Sequence, residues 1–443
     1  MMESIPLLMF ALLFLLIFLG IPVSFSLISV SCLFGLFLFG DNILQQMYGS
    51  LLQASTNFAL SAIPLFVLMG AILERTGLAQ RLFSAMQLWL GGFSGGLAIS
   101  SMLMCGIFAA SSGVVGAVEI VVGMMAIPAM SKYNYDRALI SGTICGGGSL
   151  GAIIPPSVIV VVYASMAQLS IGQLFAATLF PGLLMLGLFL LYIIVICWLK
   201  PSLAPAVPEM KATPLGEKLK ITLSALIPPL LLIAAVLGSM LAGIASPTES
   251  AAVGAFGAAV LAIWFRELSI QRLIEALVST IKITSMIMLI VAGGIMFTAI
   301  FAASGGGWMI DEFMDEMNFS PYALILILMA MVFFAGMVLD WISLVLIFVP
   351  IFTPLVKAAG IDPVWFAVMF MVVVQTCYLT PPLAPSVFYL KSIAPPGYGY
   401  GVMYRGVLPF IAIQLLLFLL ILACPALPPG CRSSCSKSSG LAP

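Results

Sequence analysis

Two proline-interrupted motifs contain the residues of this chain that are best suited to bind a ligand. The first is GGGSLGAIIPPS at Gly146–Ser157, the second is CYLTPPLAPS at Cys377–Ser386, and both lie inside long apolar stretches. Proline lacks a backbone N–H and clashes with the preceding helical turn, so each Pro-Pro pair is predicted to interrupt its helix. An interrupted helix exposes carbonyl oxygens at one end and N–H groups at the other, which suit a cation and an anion respectively.

Hydroxyl groups near these motifs add oxygen atoms that suit Na⁺. They belong to Ser111, Ser112, Ser157 and Thr380. Two plainer interpretations stay open, because a Pro-Pro pair can be a simple kink and small residues such as serine also allow close helix packing.

Three acids lie in or beside apolar segments. Glu119 and Asp340 would be costly in a membrane unless they are paired or face a cavity, so each has either a functional or a structural role. Glu249 follows Pro247 at a predicted helix start, where we expect it to cap the helix.

The composition predicts a membrane protein and argues against several kinds of chemistry. Of the 443 residues, 63% are hydrophobic and 7% are charged, whereas about a quarter are charged in a soluble domain. The apolar runs are continuous over roughly 20 residues, as in spanning helices, and do not alternate as in barrels. There is no histidine, the usual haem ligand and proton shuttle. We expect an all-α polytopic protein that is not an enzyme, with no transition metal, no organic cofactor and no nucleic-acid partner.

A constant offset of 226 positions relates the regions around the two motifs. The matching pairs are Pro128 and Pro354, Asp136 and Asp362, Pro155 and Pro381, Pro156 and Pro382, and Tyr163 and Tyr389. Five matches at one offset indicate a duplication, which is typical of secondary transporters.

The distribution of basic residues predicts an inverted arrangement of the two halves. The basic segments 200–220 and 266–282 are expected to be cytoplasmic and the acidic patch 311–316 to lie outside. Both ends of 93–130 are then cytoplasmic, so this segment is predicted to be a re-entrant hairpin; 322–356 would be its counterpart, entered from outside. Each half then has five spans and one hairpin, and the odd number of spans inverts the second half.

Several motifs resemble the large membrane subunit of the tripartite ATP-independent periplasmic (TRAP) transporters, the DctM-type subunit. The matching stretches are SSGVVGAVEIVVGMMAIPAM (111–130), GGGSLGAIIPPS (146–157), SPTESAAVG (246–254), GMVLDWISLVLIFVPIFTPL (336–355), GIDPVWFAVMF (360–370) and TCYLTPP (376–382). The resemblance extends to about Ile421. It implies a Na⁺-coupled importer of small organic acids, such as C4-dicarboxylates, in the bacterial inner membrane, working by an elevator mechanism. It also implies two partners, a small four-helix membrane subunit and a periplasmic substrate-binding protein.

The resemblance, together with the spans, divides the chain into eight segments. They are first-half scaffold helices and arm, 1–92; hairpin 1 and the first broken helix, 93–167; the last helix of that half, 168–200; a cytoplasmic linker, 201–220; second-half scaffold helices and arm, 221–321; hairpin 2 and the second broken helix, 322–391; a last helix, 392–424; and a disordered tail, 425–443.

The resemblance also implies candidate ligands. Sodium site 1 would comprise Ser112, Gly113, Gly151, Ile154 and Pro156; sodium site 2 would comprise Gly336, Cys377, Thr380 and Leu383; the substrate vicinity would include Ser111, Pro155, Ser157, Asp340 and Pro381. Many members have Ser-Gly-Ser-Ser at the first tip, whereas this chain has Ser112-Gly113-Val114-Val115. Cys377 stands where glycine is frequent and would bind an ion only through its carbonyl.

Two alternatives remain at the level of sequence. One is an ion-coupled elevator transporter of organic anions that works without a binding protein. The other is a membrane-bound enzyme or electron-transfer subunit, which would need a cluster of ligands or a nucleophile–base pair, and the chain has no histidine to build one.

Overall fold

The computed structural model describes residues 5–113, 115–207, 214–309, 312 and 320–424, and the secondary structure in these ranges is helical throughout. The longer helices are α1 Ile5–Phe18, α2 Val23–Phe39, α3 Ile43–Thr56, α4 Ala62–Arg75, α5 Leu78–Leu90, α6 Gly96–Ser112, α7 Ala117–Lys132, α8 Arg137–Ser149, α9 Val158–Ala167, α10 Ile171–Leu199, α11 Leu215–Leu241, α12 Pro247–Trp264, α13 Ile270–Ala303, α14 Pro321–Gly336, α15 Trp341–Ala358, α16 Pro363–Cys377, α17 Pro385–Ile393 and α18 Tyr400–Ala423.

Long apolar helices alternate with half-length ones. In the described part of the chain, eight helical segments are long and apolar enough to cross a membrane. Helices α6, α9, α14 and α16 are apolar but shorter; the 10 residues of α9 span about 15 Å, half of a ~30 Å hydrocarbon core. The all-helical polytopic class is therefore confirmed, and the short helices mark where the chain turns or breaks.

Both interruptions predicted at the Pro-Pro motifs are confirmed. Helix α8 ends at Ser149 and α9 begins at Val158; we call the segment between them break 1. Break 2 separates the end of α16 at Cys377 from the start of α17 at Pro385. In addition, α6 turns into α7 at 113–116 (hairpin 1), and α14 turns into α15 at 337–340 (hairpin 2).

Positions related by the 226-residue offset have matching environments. Asp136 caps α8, where its Oδ1 accepts the N–H of Leu139 at 3.0 Å, and Asp362 caps α16 in the same way, accepting the N–H of Val364 at 2.8 Å. Ser149 and Gln375, also 226 positions apart, are hydrogen-bonded to each other at 3.3 Å. Two positions related by a two-fold axis touch only when both lie close to that axis, so this pair marks where an axis between the halves would run.

Helices α8 and α18 pack backbone to backbone and tie the first half to the second. A Cβ atom on Gly142 would collide with the carbonyl oxygen of Gly406, and one on Gly406 would collide with that of Ala138. One turn further on, a Cβ on Gly146 would lie 2.6 Å from the ring of Phe410. Small residues at four-residue spacing commonly permit such close contacts between membrane helices.

Two predicted boundaries are wrong. The linker 201–220 ends early because α11 already begins at Leu215, directly after Pro214, in a stretch whose Glu and Lys residues favour helix. The interfacial helix 266–282 and the span 283–303 are instead one 34-residue helix, α13. Lysine is a good helix former, so Lys282 does not end it. At about 51 Å it exceeds the hydrocarbon thickness.

Some predictions fall outside the described residues. These are the centre of the linker at 208–213, Val114 at the first tip, Asp311, Asp315 and Glu316 of the acidic patch, and the tail 425–443.

Candidate ion and substrate site

The tip of hairpin 1 lies directly on break 1. Gly113 has a left-handed φ of +63°, and a Cβ there would lie 2.6 Å from the carbonyl oxygen of Pro156. The N–H of Val158 donates to the carbonyl of Gly113 at 3.4 Å. The tip and the break thus meet backbone to backbone, which requires glycine at position 113 because a side chain would push them apart.

The other residues predicted for sodium site 1 lie in the same buried region. Gly151 is in a 3₁₀ turn at the start of break 1, and Ile154 packs against Gly182 of α10. The side chain of Ser112 is outside the described part of the chain. The backbone of break 1 is therefore the main source of oxygen atoms here.

The hydroxyl groups of Ser111 and Ser157 use their protons within the protein. Ser111 Oγ donates to the carbonyl of Phe108 at 2.8 Å, and Ser157 Oγ donates to that of Ala152 at 2.9 Å. Their oxygen lone pairs, which a cation would use, are not consumed by these bonds.

Hairpin 2 meets break 2 in a similar way. A Cβ on Gly336 would collide with the sulfur of Cys377. The Cys377 thiol points back to the Val373 carbonyl at 3.5 Å, and the hydroxyl of Thr380 donates to Thr376 at 2.7 Å. Thr380 is buried, whereas the side chain of Leu383 is 43% exposed, so at Leu383 the backbone is the part suited to an ion.

Glu119 links hairpin 1 to the opposite half of the chain. Its Oε2 accepts the N–H of Gly116 at 2.6 Å, which caps α7, and its Oε1 accepts the hydroxyl of Ser386 on α17 at 2.6 Å. The residue is fully buried, and a Cβ on Gly148 would collide with its carboxyl group. Of the two roles left open by the sequence, these contacts match the structural one.

Asp340 is placed differently, because its carboxylate lines a cavity. It begins α15, where Oδ2 accepts the N–H of Ile342 at 3.2 Å and the hydroxyl of Ser343 donates to Oδ1. The acid therefore caps its helix and also presents negative charge beside the tip of hairpin 2.

The cavity has a volume of about 350 Å³ and separates the tips and break 2 from α2 and α13. One wall includes Val115, Asp340, Tyr378 and Tyr389, and the other includes Ser24, Met286 and Ile290. None of the described residues that line it is Lys or Arg. The hydroxyl of Tyr378 is buried and has no hydrogen-bond partner among the described residues. The size suits a small organic molecule.

The structure brings together only part of the predicted substrate vicinity. Asp340 lines the cavity, whereas Ser111, Pro155, Ser157 and Pro381 do not. The sequence analysis missed Ser24, Tyr378 and Tyr389 as lining residues. For Tyr389 a signal existed, since it is the counterpart of Tyr163 in the repeat. The described residues contain no group of three or more His, Cys, Asp or Glu side chains that could hold a metal ion.

The sequence comparison decides the family. Residues 10–427 match the profile of the family described as "Tripartite ATP-independent periplasmic transporter, DctM component". The chain belongs to this family. It is thus a large permease subunit of a TRAP transporter and not an enzyme, and it is a multi-pass protein of the bacterial inner membrane.

The similar TRAP permeases differ in their substrates. The chain is 33% identical to the C4-dicarboxylate TRAP transporter large permease DctM of Pseudomonas aeruginosa, over 88% of this chain and 90% of that protein. It is 30% identical to the 2,3-diketo-L-gulonate permease YiaN of Escherichia coli, over 92% and 94%. It is 29% identical to the ectoine permease TeaC of Halomonas elongata, over 93% and 95%.

Solved structures share the fold. The YdaH transporter of Alcanivorax borkumensis superposes with a TM-score of 0.67 at 16% identity, covering 96% of this chain and 100% of that one. MtrF of Neisseria gonorrhoeae gives 0.62 at 15% identity, covering 86% and 83%.

Proposed function

We propose that this TRAP permease is the large transmembrane subunit of a Na⁺-coupled importer of a small organic acid. The observation that carries the proposal is the double contact of hairpin tips with breaks, Gly113 with Pro156 and Gly336 with Cys377. Each contact gathers backbone carbonyls in a dry setting, and the cavity lies beside both tips. Such half-helix ends are the usual ion and substrate sites of secondary transporters.

Sodium would bind where each tip meets its break. Site 1 would use oxygens around Gly113, Gly151, Ile154 and Pro156, and site 2 those around Gly336, Cys377, Thr380 and Leu383. Binding of Na⁺ would draw each tip onto its break and so fix the walls of the cavity. A ligand shifts the tips only to the extent that it binds the closed arrangement more tightly.

The substrate would bind in the 350 Å³ cavity. Because no Lys or Arg lines it, a substrate carboxylate would rely on N–H groups at half-helix N-termini. Asp340 and Tyr378 would bind hydroxyl or amine groups of the substrate. The relatives' substrates include dicarboxylates, a diketo sugar acid and the amino-acid derivative ectoine, so the class "small organic acid" is as narrow as the comparisons support.

Transport would be of the elevator type. The body containing both hairpins and both breaks would slide against a scaffold that includes α2 and α13, which form the far wall of the cavity. The halves would be inverted repeats of five spans and one re-entrant hairpin each. A DctQ-type four-helix subunit would support the scaffold, and a DctP-type periplasmic protein would deliver the substrate.

Uptake by proteoliposomes that contain both membrane subunits tests this function. We expect uptake of the cognate acid to require an inward Na⁺ gradient together with the binding protein. Equal uptake when K⁺ replaces Na⁺ would contradict ion coupling. Full uptake without the binding protein would favour the alternative, an elevator-type organic anion symporter that works alone.

Thr380→Ala tests sodium site 2. It removes a hydroxyl oxygen that donates only to Thr376, and we expect the Na⁺ concentration for half-maximal uptake to rise about fivefold, as for one lost polar contact of about 1 kcal/mol. Thr380→Ser keeps the oxygen and should retain the parent Na⁺ dependence. An unchanged Na⁺ response in Thr380→Ala would exclude the hydroxyl as a ligand.

A further inference from the structure

A groove on the scaffold surface has features that the transport site does not use. It lies between α5, α11 and α12 and encloses about 750 Å³. We propose that it is a binding site for one anionic glycerophospholipid of the cytoplasmic leaflet, with an acyl chain in the groove and the phosphate at its mouth.

The length and depth of the groove suit an acyl chain. It follows α11 from Leu223 to Leu232, a distance of about 13 Å, which is close to half of the ~30 Å hydrocarbon core. Its walls are apolar, and two of them are exposed: Leu231 at 64% and Trp264 at 77%. By the positive-inside rule, the N-terminal end of α11 and the C-terminal end of α12 lie on the cytoplasmic side, which puts the mouth at that surface.

Two guanidinium groups stand at the mouth. Arg81 of α5 lies over the ring of Phe265, 4.6 Å from its centroid, and Arg266 follows the end of α12. Among the described residues, neither has a carboxylate within the 4.0 Å ion-pair distance, whereas Arg75 and Arg272 both do. Unpaired guanidinium groups bind phosphodiester oxygens well, and each basic group near an anionic membrane surface contributes to lipid attraction.

The backbone around the mouth adds two further observations. Arg266 has a left-handed φ of +58°, at a helix end where glycine is usual and another residue is strained. Pro228 lines the groove and has no N–H, so the carbonyl of Ser224 lacks its normal helical donor. An unpaired carbonyl is costly at membrane depth, and a headgroup hydroxyl or a glycerol hydroxyl would satisfy it.

The charge at the mouth favours a lipid over a protein helix as the occupant. A helix of the small subunit could cover the apolar walls, but it would leave two guanidinium groups without an anion unless it also supplied acids. A phospholipid satisfies the apolar and the charged parts with one molecule. Phosphatidylglycerol is a suitable probe because it combines a phosphodiester with free hydroxyl groups.

Native mass spectrometry of the permease from nanodiscs of equal parts phosphatidylglycerol and phosphatidylethanolamine tests the site. We expect preferential retention of phosphatidylglycerol. In R81Q/R266Q this retention should fall about 30-fold, from roughly a fivefold loss for each cation. R81K/R266K should retain most of it. The control K282Q/R405Q removes two cytoplasmic-side cations away from the groove and should behave like the parent.

Two results would overturn the proposal. One is equal retention of both lipids, or parent-like retention by R81Q/R266Q in protein whose elution profile and melting temperature are unchanged. The other comes from placing the photo-reactive p-benzoylphenylalanine at Leu231 in the complete complex: crosslinking to phospholipid is expected, and crosslinking to the small subunit would assign the groove to that partner.

Discussion

Glu119→Ala should be among the most damaging single substitutions in this permease. We expect it to lower the free energy of unfolding by about 3–5 kcal/mol, since it leaves two buried donors without an acceptor and opens a cavity. Those donors are the N–H of Gly116 and the hydroxyl of Ser386, each 2.6 Å from the carboxyl group. Na⁺-driven uptake should be lost, because hairpin 1 would no longer be held to α17. Thermal unfolding in detergent and proteoliposome uptake measure the two effects.

The partner residue provides the control for this prediction. Ser386→Ala removes one of the two donors and should cost about 1–2 kcal/mol, with uptake reduced but present. In a double-mutant cycle of Glu119→Gln with Ser386→Ala, the two changes should be coupled rather than additive. Additive effects, or parent-like melting of Glu119→Ala, would show that this link does not hold the hairpin.

Gly113→Ala should reduce Na⁺-dependent uptake at least tenfold while leaving the protein folded. The new Cβ would lie 2.6 Å from the carbonyl oxygen of Pro156, so the tip must move away from break 1 and separate the oxygens proposed for sodium site 1. The substitution also costs about 1–2 kcal/mol of backbone strain at a φ of +63°. Uptake as a function of Na⁺ concentration is the measurement, and we expect the half-saturating Na⁺ concentration to rise.

Gly243→Ala separates strain from displacement. Gly243 has a φ of +70°, but nothing lies within 4 Å of a Cβ at that position. It should therefore show a similar loss of stability with nearly parent-like uptake. If both variants transported Na⁺-dependently at parent rates, the contact between Gly113 and Pro156 would not matter for ion binding.

The features predicted well are those fixed by a few neighbouring residues. Each Pro-Pro pair interrupts its helix because proline chemistry acts within one turn. The cap predicted for Glu249 is confirmed, with Glu249 Oε2 accepting the N–H of Ser246 at 2.7 Å. The boundary predicted at Lys282 failed for the opposite reason: charge indicates where a membrane surface lies, but the backbone of a good helix former continues through that surface.

The sequence by itself determined the membrane class, the family, both breaks and the offset that relates the two halves. Only the tertiary structure decided which residues meet. Glu119 and Ser386 are 267 positions apart, and the cavity has walls from α2, α13 and both hairpins. Periodicity and motif spacing report which face of a helix is apolar, but not which distant helix packs against it. The contact between hairpin tip and break, and the acid that links hairpin 1 to α17, therefore follow from how the helices cross.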